Sequence, residues 1–158
     1  LLTVSQLWPS KNLQTALKAF QIVTDSVPDA YHMIVGDGPG KPSLQSLADE
    51  LGLAGKVRFV FPALREPRGL SLIDAMATGK PVVAADDGGP AEIVDHKSNG
   101  ILVQPSDSDS YAEAIIHLLE NRLIMQDMGE KAAVKAKAYS WQTMAKTHSE
   151  SYDHIPQS

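Results

Sequence analysis

Short apolar runs rich in β-branched residues alternate with stretches of helical period along most of this chain, and that rhythm constrains its fold more than any other feature. Leu1 to Leu7 reads as a strand, closed by Pro9-Ser10 and followed by a helical pattern in which Leu13, Leu17 and Phe20 recur at three to four. Tyr31 to Val35 is a second strand, stopped by Gly36-Asp37-Gly38-Pro39-Gly40. Ser43 to Leu51 is helical, with Leu44, Leu47 and Leu51 on one face and Gly52 as its stop. Lys56 to Phe61 is a strand, Gly69 to Thr78 a helix, Gly79-Lys80 a turn and Pro81 to Ala85 a strand. From about Ser106 the pattern is helical, with Ile115, Leu118, Leu119, Met125 and Met128 as apolar positions. Parallel strands need crossover connections, and crossovers are right-handed. The rhythm therefore predicts an α/β fold: a doubly wound parallel sheet covered on both faces, with a helical C-terminal tail.

The 158 residues fit one ordinary domain, taken as 1–158, and are too few for two of comfortable size. No apolar run approaches the roughly 20 residues that span a bilayer, and Leu1-Leu2-Thr3-Val4 lacks the basic segment and cleavage site of a secretory signal. Because the chain reads as a strand from its first residue, a preceding segment in a longer parent is expected. The absence of cysteine excludes disulfides and thiolate metal sites and fits a reducing, cytoplasmic location. A net charge of -5 leaves no electrostatic footprint for nucleic acid. Small anionic ligands need only a local site and remain open.

In an open α/β sheet, ligands bind beyond the carboxyl ends of the strands, so the strand-to-helix loops carry the search: Gln6 to Asn12, Gly36 to Pro42, Pro62 to Arg68 and Asp86 to Pro90. The stretch from Phe61 to Ile93 is the most informative. It sets Glu66 and Asp74 on either side of Gly69 at a helix start and ends in Gly88-Gly89-Pro90. The amides of Gly69, Leu70 and Ser71 would face an anion with the helix dipole behind them. Asp74 is the single charge on an otherwise apolar helix and is expected to be buried, so that its carboxylate must accept hydrogen bonds from protein or from ligand hydroxyls. The bland alternative makes Asp74 a backbone-bonded buried acid and Glu66 an ordinary loop carboxylate; spacing alone leaves both open.

The other loops say less. Gly36-Asp37-Gly38-Pro39-Gly40 does not complete a dinucleotide fingerprint, since Lys41 stands where the third glycine belongs, and it is no Walker loop. It reads as a tight turn that lets a ligand pass close to the backbone. Lys11 is either a phosphate-binding cation or, more commonly for a lysine, a solvated one. Asp86 and Asp87 are adjacent on extended chain and point apart, which favours a loop cap over a metal site. His32, His96, His117, His148 and His154 show no ligand spacing, and Trp141 reads as an anchor for the last helix.

The pattern Glu66-Pro67-x-Gly69-Leu70, Asp74-Ala75-Met76-Ala77, Gly79-x-Pro81-Val82-Val83-Ala84 and Gly88-Gly89-Pro90-Ala91-Glu92-Ile93 resembles the donor-binding half of retaining glycosyltransferases with the GT-B fold, in the group 1 family that includes sucrose-phosphate synthases and bacterial mannosyl- and glucosyltransferases. The resemblance extends to LLTVSQLWPSKNLQTALKAF, MIVGDGP, LADELGLAGKVRF, Asn99 to Val103 and Tyr139-Ser140-Trp141, nearly the whole chain. It implies a Rossmann-like half of a GT-B enzyme that transfers a hexose from a nucleotide-diphosphate sugar to a sugar, lipid or other hydroxyl acceptor, with no bound metal and no other cofactor. Glu66 would be the catalytic acid beside the donor sugar, and Asp74 the second acid, at the ribose. Lys11 would neutralise the diphosphate. Gly69, Leu70, Gly88 and Gly89 would contact donor sugar or phosphate, and Gly36 and Gly38 would approach the nucleoside.

The chain departs from that pattern in four places. Gln6 stands where an arginine is usual, Asp74 is one methylene shorter than the usual glutamate, and Arg68 replaces an aromatic residue. Arg68 is expected to restore part of the missing positive charge at the donor. Lys56-Val57-Arg58-Phe59 runs straight into Val60-Phe61-Pro62-Ala63-Leu64, so that a helix and a strand of about twenty residues, expected near 59–61 from the resemblance, are either missing from the protein or left out of the sequence as written, which an intact mass would separate. The acceptor-binding N-terminal domain that the family needs is absent too, so the chain alone is expected to bind donor weakly and not to catalyse transfer, because both cleft walls are needed to position the reactants. A non-catalytic nucleotide-binding or regulatory module and a nucleotide-sugar epimerase remain alternatives, the latter disfavoured by the retained acid pair.

Overall fold

The structure is a computed structural model that describes residues 1–60, 71–140 and 142–143. The order of elements is β1 (Leu2–Val4), α1 (Leu13–Ser26), β2 (His32–Val35), α2 (Lys41–Glu50), β3 (Val57–Val60), α3 (Ser71–Ala77), β4 (Val82–Ala85), α4 (Gly88–Ile93), β5 (Gly100–Val103), α5 (Ser108–Glu120) and α6 (Arg122–Ala136). All described strand pairs are parallel, as the alternating periods predict.

The sheet comes in two pieces. β1, β2 and β3 lie side by side in that order, and β4 pairs with β5. In the first piece Leu2 stands opposite Met33 and His32 opposite Val57; in the second Val82 stands opposite Gly100. Two hydrophobic clusters follow the same division. The larger packs Ile34 of β2 and Leu7 of the loop after β1 against Leu17, Phe20 and Val23 of α1, with Leu44 of α2 and Ala112 of α5. The smaller gathers Met76, Val82, Val94, Ala132 and Ala136 between α3, the two-stranded piece and α6.

α1 explains itself from its sequence. Leu13, Leu17 and Phe20 are buried as their spacing predicts, and Thr15, Ala19 and Val23 widen the stripe to cover sheet and α5 together. α5 starts where Asp107 caps it, its carboxylate accepting from the amides of Asp109 at 3.1 Å and Ser110 at 3.2 Å. The turn after α3 touches α6 through backbone: a Cβ on Gly129 would lie 2.3 Å from the carbonyl oxygen of Gly79, so only glycine lets α6 approach that turn this closely.

Two elements are not evident in the periodicity. β5 is four residues long, too short to show a period. α4 begins with Gly88-Gly89-Pro90, which reads as a breaker; proline is tolerated because the first turn of a helix needs no amide donor there. The predicted helix 69–78 is observed over Ser71–Ala77, with 69 and 70 outside the described residues. Trp141, the expected anchor of the last helix, also lies outside them.

One expectation is corrected. α3 was predicted to be buried on nearly every side, yet Met76 is its only fully buried residue, and Asp74 is exposed. Among the described residues, the space beside α3, between β1 and β4, is a groove that Asp74 lines. A carboxylate on that border keeps its water, and the demand for buried hydrogen-bond partners does not arise.

Candidate functional site

The carboxyl ends of the strands form a rim of loops, and backbone contacts lock the first two loops together. The amide of Leu7 donates to the carbonyl of Asp37 at 2.9 Å, that of Gly40 to Leu7 at 2.8 Å, and that of Ser5 to Val35 at 3.1 Å. A Cβ on Gly36 would sit 1.9 Å from the Ser5 carbonyl oxygen, and one on Gly38 or on Gly40 would sit 2.7 Å from that of Leu7. At Gly36 and Gly38, where a ligand was expected to pass close to the backbone, the group that makes the close approach is the first loop of the chain itself. Side chains larger than hydrogen would push the two loops apart.

Lys11 ends a 3-10 turn, Pro9–Lys11, at the mouth of this pair of loops and is exposed. The next residue, Asn12, adopts a left-handed conformation with φ 48° and donates from Nδ2 to the hydroxyl oxygen of Ser106 at 2.7 Å. Ser106 is itself left-handed, at φ 64°, in the loop after β5. That bond ties the first loop of the three-stranded piece to the last loop of the two-stranded piece, so both sets of strand ends open on one rim. Neither residue carries a sequence signal, because a hydrogen bond across ninety-four positions has no local pattern.

At the end of β4, Gly88 has φ 53°, and no described residue lies within 4 Å of a Cβ built on either Gly88 or Gly89, in contrast to Gly36 and Gly38. Asp87 occupies the N-cap position of α4 without a side-chain cap bond, so of the capping role expected for Asp86 and Asp87 only the position is realised. Asp74, in the first turn of α3, lines the groove between β1 and β4, together with Ser71, Leu72 and Ala75 of the same helix and Thr78 just after it. Glu66, Arg68, Gly69 and Leu70 fall outside the described residues, as does the junction at Phe61 to Leu64.

His32 has a part that its sequence context does not show. It is buried in β2, its Nε2 2.8 Å from the hydroxyl of Thr3, its ring edge-on to Phe20 with centroids 5.1 Å apart. Nδ1 has no hydrogen-bond partner among the described residues. Burial, aided by the positive amino terminus, lowers its pKa to about 4, so the ring is neutral at pH 7. Asn99, also buried, is held by Asp95: its Nδ2 donates to the Asp95 carboxylate at 2.9 Å and its Oδ1 accepts from the Asp95 amide at 3.0 Å. Lys135 closes on the same carboxylate at 2.9 Å, which fixes the turn before β5 to α6. Among the described residues no group of three or more His, Cys, Asp or Glu side chains is placed to hold a metal ion.

Comparison with known proteins gives this rim its context. The family model described as "Glycosyl transferases group 1" matches residues 1–121. Sucrose-phosphate synthase of Zea mays is 28% identical over 183 residues, covering 94% of this chain and 17% of that protein. D-inositol 3-phosphate glycosyltransferase of Streptomyces griseus is 32% identical over 179 residues, covering 96% of this chain and 38% of the relative. The crystal structure of HepE from Anabaena in complex with UDP-glucose superposes with a TM-score of 0.85 at 26% identity, over 98% of this chain and 49% of that one. The chain thus spans about a sixth of the length of the plant synthase. The alignments are also longer than the part of this chain within them: 183 positions against about 149 residues (94% of 158) for the synthase, and 179 against about 152 (96% of 158) for the Streptomyces enzyme. Parallel α/β architecture, a rim of strand-end loops at one end of the fold and a family match across most of the chain agree, and the chain belongs to the glycosyl transferases group 1 family.

Proposed function

We propose that this chain is the donor-binding half of a retaining glycosyltransferase that takes a hexose from a nucleotide-diphosphate sugar. The observation that carries this reading is the shared rim. In a chain of this family, the lysine loop, the Gly36–Gly40 loop and the Gly88-Gly89 loop belong to strand ends that open on one side, where ligands of open α/β sheets bind.

In this reading Lys11 faces the diphosphate, and the amides of Gly88 and Gly89, unobstructed by side chains among the described residues, receive donor phosphate or sugar. Gly36 and Gly38 act indirectly on the nucleoside by holding the first loop against the second. Glu66 acts on the donor sugar, Arg68, Gly69 and Leu70 contribute to donor binding, and fixed positive charge and amides stabilise the departing diphosphate without a bound metal. Asp74, exposed on the groove side of α3, meets the ribose from the edge of the site. The acceptor is a sugar, lipid or other hydroxyl compound held by a second domain, and this half alone binds donor without transferring it.

Titration of the chain with UDP-, GDP- and ADP-sugars, followed by saturation-transfer NMR, tests the reading. One of the three is expected to bind, and Lys11→Ala is expected to weaken it by about tenfold, as the loss of one charge-assisted phosphate contact implies. Lack of binding by all three, or an unchanged dissociation constant in the Lys11 variant with bound diphosphate, would overturn it.

A further inference from the structure

We propose that Asn99-Gly100 is a site of spontaneous deamidation that the fold itself demands and protects while closed, so that opening of the β4–β5 piece is recorded as a permanent chemical change. Of the three asparagines of the chain, Asn12, Asn99 and Asn121, only Asn99 precedes a glycine. Glycine has no side chain to keep its amide nitrogen away from the preceding carboxamide, which makes this pair the most reactive of the three.

Both residues are fixed by their surroundings. A Cβ on Gly100 would lie 2.7 Å from the carbonyl oxygen of Val82, 2.8 Å from Val82 Cγ2 and 2.9 Å from Val94 Cγ1, so any larger residue at the start of β5 would push the backbone of β4 aside. Asn99 is 2% exposed, and its carboxamide needs both of its functions: Nδ2 donates to the Asp95 carboxylate at 2.9 Å, and Oδ1 accepts from the Asp95 amide at 3.0 Å. An aspartate at 99 would accept the second bond but have no hydrogen for the first. Backbone closes the same turn, the amides of Ser98 and Asn99 donating to the carbonyl of Asp95 at 2.9 Å and 3.2 Å.

In the reaction the amide nitrogen of Gly100 gives its proton to hydroxide and bonds to Cγ of Asn99, while Nδ2 leaves as ammonia. The five-membered succinimide then takes up water at either carbonyl, giving aspartate or isoaspartate, and nothing is oxidised or reduced. The closed turn opposes each step. Burial keeps hydroxide away, and the two bonds to Asp95 hold the carboxamide against the swing that would carry Cγ onto the nitrogen. Opening the turn releases both restraints at once, so the rate follows the open fraction.

The product does not close in the same way. Aspartate at 99 sets a second carboxylate against that of Asp95, where Lys135 at 2.9 Å already serves the first. Isoaspartate lengthens the main chain by a carbon just before β5, whose register puts Gly100 opposite Val82. The loop that follows β5 carries Ser106, the partner of Asn12, so the change reaches the rim from a residue outside it.

Peptide mapping by mass spectrometry of the full chain, aged in mildly alkaline buffer, tests the proposal against a synthetic peptide of residues 94–104 as the open reference. Asn99 in the folded chain is expected to convert about 100-fold more slowly than in the peptide, as the protection of a packed turn implies. In urea below the unfolding midpoint its rate should rise in step with hydrogen exchange of the β4 and β5 amides. Asp95→Ser, which keeps the backbone amide and removes the carboxylate, should speed conversion about tenfold. Asn99→Asp, made directly, should lower the protection of the β4 and β5 amides and leave those of Ile34 and Val35 unchanged. Conversion in the folded chain at the peptide's rate overturns the proposal. So does an Asp95 variant that converts no faster than its parent, or an Asn99→Asp chain whose β4 and β5 stay fully protected. If Asp95→Ser does not fold, the urea series on the unaltered chain decides, and a rate indifferent to the opening of β4 and β5 sinks the inference.

Discussion

His32 contributes to the acid sensitivity of this protein. Its pKa lies near 4 in the fold and near 6.5 in an unfolded chain, so between those values the unfolded state binds more protons. The contribution of the neutral ring is complete above pH 6.5 and is lost as pH falls toward 4, by about 3 kcal/mol in all. Urea unfolding measured between pH 4 and 7 should show that slope, and His32→Leu should flatten it while leaving stability at pH 7 nearly intact. An unchanged slope would place the acid sensitivity elsewhere. The residues of the rim divide by the same kind of local test. Gly36 and Gly38 are glycines because backbone occupies the space of their side chains, whereas Gly88 needs its left-handed φ, and no described residue fills the side-chain space of Gly89.

Among the elements, α1 is the one on which the larger cluster depends. Leu17 is fully buried in it and belongs to the same cluster as Ala112 of α5. Leu17→Ala should cost about 2–5 kcal/mol, measured as a shift in the urea midpoint without change of slope. A loss under 1 kcal/mol would mean that the helix repacks freely. α1 is legible in the sequence because Leu13, Leu17 and Phe20 mark its face with a helical period. α3 misleads for a physical reason: an apolar helix reads as buried, but burial requires a neighbour, and among the described residues the face that carries Asp74 borders a groove.

At the scale of the whole molecule, two sheet pieces and two clusters predict two levels of stability. Met76 is fully buried in the smaller cluster. Met76→Ala should speed hydrogen exchange in β4 and β5 while leaving the amides of Ile34 and Val35 protected, because subglobal opening follows separately packed units. Equal loss of protection in both pieces would show a single cooperative unit instead. The Asn12–Ser106 bond and the packing of α5 across both pieces limit the separation. No helix among the described residues is long and apolar enough to cross a membrane.

The sequence by itself determined the α/β class, the parallel direction of the strands, most element positions and the family, because periodicity, turn residues and motif order are local. It also exposed the abrupt join after Val60. Tertiary structure alone decided that the glycines at 36 and 38 receive the first loop of the same chain, that Asn12 and Ser106 bring the strand ends together, and that Asp74 faces a groove. Each of these depends on which distant backbone fills a given space. So does the division of the sheet, because a strand edge is open or closed only according to what lies beside it.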